Sequence, residues 1–173
     1  MAKASASIEI PASPNLVWQL IGGFGSLPDW VPYIPESELG EGGHVRRLSN
    51  SGGETIVERL VKFDDSARSY SYAILQAPFP VTDYLSTLRV VEMDSGRGSR
   101  VEWSGQFTPD GVSDSEASGL FQGISQGISE DGLKALTAAF ASHESSPPSQ
   151  TAPFASATPK VASPAQGLVG TKS

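Results

Sequence analysis

From residue 37 to residue 107 the chain alternates short segments of period-two hydrophobicity with turns rich in glycine and aspartate. The segments fall at 37–40, 44–48, 54–63, 69–75, 83–93 and 99–107. The connections between them are tight. Gly40-Glu41-Gly42-Gly43 and Asp94-Ser95-Gly96-Arg97-Gly98 are examples. Parallel strands need crossovers of a dozen or more residues, whereas antiparallel neighbours need only a short turn. The spacing therefore predicts an antiparallel meander.

Flanking signals complete the outline. A further alternating segment, 4–10, precedes Ser13-Pro14, an N-cap with proline at the first helical position. A helix is expected over 14–21, stopped by Gly22-Gly23, and a second short one over 26–30 before Pro32. Ser113-Asp114-Ser115-Glu116 is a capping box that opens a long helix reaching about residue 141. Its inward stripe collects Ala117, Phe121, Ile124, Ser125, Ile128, Gly132, Ala135, Leu136 and Ala139. Gly119, Gly123 and Gly127 recur on the side opposite Phe121, which places them toward solvent rather than in a packing zipper.

At 173 residues the chain is long enough for one domain with a real core. Composition changes near Ser142. The stretch 142–173 is rich in Ser, Pro, Ala and Thr, has one aromatic, and reads as a disordered tail after a domain spanning 1–141. The net charge of −7 argues against nucleic-acid or anionic-membrane binding. No apolar run approaches a membrane span, and the N-terminal residues contain no signal-peptide core, so a cytoplasmic protein is expected. There is no cysteine, which removes disulfides and thiolate chemistry. The two histidines, His44 and His143, form no ligand cluster, so neither metal nor cofactor is expected.

The segment 54–63 carries the functional interest. Period two places Ile56, Glu58 and Leu60 on one face and Val57, Arg59 and Val61 on the other. A carboxylate between two apolar residues must find a partner, bind a ligand or stay protonated if that face is buried. Two readings stand: a polar handle in a pocket wall, or half of a structural ion pair with an arginine. The same parity on the other strands gives Tyr70, Tyr72 and Ile74, then Tyr84, Ser86, Leu88 and Val90, then Val101, Trp103 and Phe107. This is an apolar, aromatic wall with a few polar groups. Trp30, between Pro28 and Pro32, fits the rim.

The element order resembles the helix-grip fold of the START and birch-pollen-allergen superfamily, an α+β fold whose curved antiparallel sheet wraps a long C-terminal helix. Residues 24–32, Glu58-Arg59-Leu60, Asp64-Asp65, Tyr70-Ser71-Tyr72 and Val81-Thr82-Asp83-Tyr84 are similar to the bacterial SRPBCC family of polyketide cyclase/dehydrase and lipid transport type. The pattern Glu58-Arg59-Leu60, Asp64-Asp65, then Asp83-Tyr84 is also similar to the plant abscisic-acid receptors. The resemblance covers about 4–141. It implies that Glu58, Tyr72 and Tyr84 face a cavity. It also implies that loops 49–53 and 77–81, the latter with Phe79 and Val81, border the mouth, and that Phe121, Ser125 and Ser129 line the helix side. Val31, and Ser51-Gly52-Gly53 in place of a bulky loop tip, depart from a receptor with an anchored acidic ligand and a latch.

The expected function is binding of a small hydrophobic molecule, lipid or polyketide-like, by a monomer or homodimer. The alternative is a polyketide cyclase, aromatase or dehydratase in which Glu58 and the pocket tyrosines move protons. No histidine lies on these strands, and no residue is assigned a catalytic role. A third reading is a partner-binding protein with a collapsed cavity.

Overall fold

The computed structural model describes residues 1–127 and 134–144. Seven strands form one sheet: β1 (Ala2–Ile10), β2 (Glu36–Gly40), β3 (Val45–Ser49), β4 (Thr55–Asp64), β5 (Ser69–Gln76), β6 (Val81–Glu92) and β7 (Ser99–Pro109). Their order is β1-β7-β6-β5-β4-β3-β2. Every neighbouring pair is antiparallel, so β2 to β7 make the expected meander and β1 closes onto its last strand. The curved antiparallel sheet with few helices matches the helix-grip architecture.

Helix α1 (Pro14–Ile21) forms where its caps predict. Ser13 Oγ accepts the Leu16 N–H at 3.4 Å, and Val17, Trp18 and Ile21 are buried. The Trp18 indole donates to Asp65 Oδ1 at 2.7 Å, which ties α1 to the turn between β4 and β5. Gly22 follows the last turn, and only glycine fits there: a Cβ would sit 2.6 Å from both the Trp18 ring and the Trp18 carbonyl oxygen. The second expected helix, over 26–30, is instead a single 3₁₀ turn, Leu27–Asp29. With Pro28 inside and Pro32 beyond, too few residues remain for an α-helical turn to propagate.

Two helical stretches follow the sheet, α2 (Asp114–Gly127) and α3 (Lys134–Glu144). The capping box is present: Glu116 Oε2 accepts the Ser113 N–H at 2.9 Å, and Ser113 Oγ accepts the Glu116 N–H at 3.3 Å. Both helices pack against β1, with Ala117 and Leu136 fully buried. Of the expected inward stripe, Ile128 and Gly132 lie outside the described residues, as do the side chains of Phe121, Ile124, Ser125 and Ala139. Ser129 and the tail from 145 onward lie outside them too.

Strand β4 departs from strict alternation. Its pairing with β5 shifts register between Val57 and Glu58 and again between Leu60 and Lys62. Val57 and Glu58 are both buried, on opposite faces: Val57 stands opposite the exposed Arg47 on the outer face, as expected, and Glu58 opposite Arg46 on the inner one. A β-bulge bends the strand more sharply than a regular ladder does. The second shift leaves Val61 as the extra residue, largely exposed, and turns Phe63 to the side of Tyr70, where its ring lies 5.8 Å from that of Trp18. The extra residue is Leu75 of β5 at the first shift and Val61 of β4 at the second, so the two irregularities flank Glu58.

Candidate functional site: an aromatic cavity around a buried ion pair

The inner face of the sheet borders a cavity of about 350 Å³. Strands β3 to β7 supply one side, with Leu48, Ile56, Tyr72, Leu88 and Trp103 among the lining residues. The segment after α1 supplies Leu27, Trp30, Val31, Tyr33 and Ile34. Gly123 of α2 borders it as well, so this glycine faces the cavity rather than bulk solvent alone. Its position carries no side chain that could narrow the opening.

Arg46 and Glu58 are the charged residues among those lining the cavity. They sit opposite each other on β3 and β4, in direct register. Arg46 Nε donates to Glu58 Oε2 at 2.5 Å, and Arg46 Nη1 donates to the Phe24 carbonyl at 2.9 Å. The guanidinium carbon lies 4.3 Å from the Phe24 ring centroid and 4.8 Å from that of Tyr72. The arginine side chain is 1% exposed and the glutamate side chain 8%. Burial is the largest influence on both groups. It pushes the Glu58 carboxyl upward, against the pull of Arg46. For Arg46 it acts downward, but Glu58 and the neighbouring tyrosines outweigh it and the guanidinium is held more firmly protonated. An arginine does not release its proton in a protein, so the pair is ionic, with Glu58 as the counter-ion.

The ring system continues along the wall. Tyr70 and Tyr72 centroids are 6.0 Å apart, and Tyr72 and Tyr84 are 6.4 Å apart. Trp103 Nε1 donates to the Tyr72 hydroxyl at 3.1 Å. Burial raises the pKa values of Tyr70, Tyr72 and Tyr84, so these phenols stay neutral across the working range of pH. They can donate or accept hydrogen bonds but do not serve as bases.

The hairpin that carries the lining residue Asn50 is ordered by local turn chemistry. Asn50 Oδ1 accepts the N–H groups of Gly52 at 3.0 Å and Glu54 at 2.9 Å, an Asx turn that shapes the β3–β4 hairpin. Ser51 N–H donates to the Tyr33 carbonyl at 3.2 Å and joins this hairpin to the segment after α1.

Of the residues singled out in the sequence, Trp30, Ile56, Glu58, Tyr72, Phe79, Tyr84 and Trp103 border the same cavity. Val81 does not; it is half-buried against the core at the start of β6. Phe121 and Ser125 lie on α2 with side chains outside the described residues, and Ile128 lies outside them altogether. Sequence reasoning left Arg46 unnamed. The signal was available: parity on β3 puts Arg46 on the face of Leu48, which is 2% exposed. Among the described residues no cluster of His, Asp or Glu could hold a metal ion.

Solved structures of several proteins share this architecture. The Bacillus cereus protein XoxI is 58% identical, with 83% of this chain and 99% of that chain covered and a TM-score of 0.76. A Thermobifida fusca protein is 34% identical over 83% of this chain and 96% of that chain, with a TM-score of 0.72. A START superfamily protein from Mycobacterium smegmatis, 14% identical, covers 82% of this chain and 98% of its own at a TM-score of 0.63; this is a likeness of fold alone. The family model described as polyketide cyclase / dehydrase and lipid transport matches residues 1–141, and the chain belongs to that family.

Proposed function

We propose that the protein binds a small hydrophobic molecule, lipid or polyketide-like, in the cavity enclosed by the sheet, the segment after α1 and α2. Family and fold together indicate a START-like ligand-binding or polyketide cyclase/dehydrase domain. The observation that carries the binding reading is the lining itself. A volume of about 350 Å³ is bounded mainly by aliphatic and aromatic side chains, with one internally neutralised ion pair. Cavities of this size sit at the lower end of the range for small-molecule sites, roughly 300–1,000 Å³, and bind through shape with a few polar contacts.

A second reading, catalysis, draws on Glu58 and the neutral hydroxyls of Tyr72 and Tyr84 bordering one space. Binding is the simpler account, because Glu58 is already committed to Arg46 and would have to exchange a proton while holding a buried cation. The test is fluorescence titration with N-phenyl-1-naphthylamine on wild type and on Ile56→Trp, which fills the cavity from β4. Wild type should bind the probe. The variant should bind it at least about tenfold more weakly while keeping a cooperative melt. Equal binding by both would place the probe elsewhere and defeat the proposal.

A further inference from the structure

We propose that the cavity selects uncharged ligands that present a hydroxyl or N–H donor, and that it rejects carboxylates and other anions. The inference rests on the binding reading above and names the ligand class of that same site.

Two observations carry it. The first is that the cation of the cavity already has its counter-ion. Arg46 gives Nε to Glu58 and Nη1 to the Phe24 carbonyl, and its guanidinium is covered by the rings of Phe24 and Tyr72. No other lysine, arginine or histidine is among the lining residues described. An anion entering this space would leave water without gaining a counter-charge, at a cost that apolar contact does not offset. It would also meet the Glu58 carboxylate. The second observation is that this carboxylate is half used. Oε2 accepts from Arg46, and Oε1 accepts no hydrogen bond among the described residues. Nor is Oε1 sealed off: the fully buried side-chain atoms without partners are Trp30 Nε1, Ser37 Oγ and Ser86 Oγ, and Glu58 contributes none. A charged acceptor with open surface, bordering an apolar cavity, is satisfied by a donor on the ligand. Hydrogen bonds to charged groups are worth about twice those between neutral partners.

The size and ring content of the lining suit a bicyclic or tricyclic phenol or alcohol. The test is displacement of N-phenyl-1-naphthylamine by three naphthalenes of matched shape at pH 7: 2-naphthol, 2-methoxynaphthalene and 2-naphthoate. These present a donor, an acceptor only, and an anion. On wild type, 2-naphthol should displace the probe about tenfold better than 2-methoxynaphthalene, and 2-naphthoate should be weakest. Glu58→Gln should narrow the naphthol preference to within about threefold and improve naphthoate. Naphthoate as effective as naphthol, or naphthol no better than the methyl ether on wild type, would overturn the proposal even if the variant failed to fold. Failure of the reporter to bind at all would remove the binding reading, and this inference with it. Binding without these preferences would overturn the selectivity alone.

Discussion

Arg46 and Glu58 form a buried pair that is costly to break and less costly to replace. Glu58→Leu would strand a guanidinium that cannot neutralise itself, and losses of about 3–5 kcal/mol are usual when a buried ion pair loses one partner. Glu58→Gln keeps an acceptor for Arg46 Nε and should cost less. The double variant Arg46→Met/Glu58→Leu removes both charges and should melt above Glu58→Leu, because an apolar pair of similar volume often matches a buried ion pair in stability. Urea denaturation of the three variants checks this. A double variant less stable than Glu58→Leu would show that the pair contributes net stability beyond mutual neutralisation. From the sequence, Glu58 was visible as a carboxylate between apolar residues, but its two readings could not be separated. The structure pairs it with Arg46 and places it at the border of the cavity. Arg46 was missed because long arginines usually extend to water, and parity alone does not tell which face is covered.

At the level of elements, strand order and helix α1 were legible because turns and caps act locally. Ser13-Pro14, Gly22 and the Ser113/Glu116 box are read within a few residues of where they act. The bulges between β4 and β5 were not legible, since an extra residue in one strand is fixed by its partner strand and leaves no local mark. Gly22→Ala should destabilise the protein by roughly 1–3 kcal/mol, the range for overpacking, because the added methyl meets the Trp18 ring 2.6 Å away. A melting temperature equal to wild type would show that Trp18 can move aside. The capping box gives a pH prediction. Hydrogen bonds from the Ser113 N–H and hydroxyl lower the Glu116 pKa below its ordinary 4.5. Its contribution is therefore full above about pH 4.5 and is lost as pH falls through the depressed folded value. The melting-temperature gap between wild type and Glu116→Ala should narrow on that descent; a gap that widens would contradict the assignment.

For the molecule as a whole, strands β3 to β7, the segment after α1 and Gly123 of α2 border the cavity, while α2 and α3 pack on β1. The family match ends at residue 141, close to the end of α3 at Glu144. Truncation after residue 144 should leave the melting temperature within experimental error, since the removed stretch is poor in apolar residues. Removal from Lys134 onward should lower it sharply, because Leu136 is fully buried. A large loss from the shorter truncation would show that the tail docks on the domain. What the sequence could not supply at this scale was the cavity itself: alternation shows which residues turn inward, and only packing decides whether they meet or leave space.

The central claim is that this space holds a small apolar molecule, and the three tryptophans offer a direct test. Trp30 and Trp103 line the cavity, whereas Trp18 lies outside it with its indole N–H bound to Asp65. Indole N–H resonances in ¹H–¹⁵N spectra can be followed while N-phenyl-1-naphthylamine is added. The account predicts saturable shifts of the Trp30 and Trp103 signals with Trp18 unmoved. Shifts confined to Trp18, or no shift at any of the three while the probe binds, would contradict it.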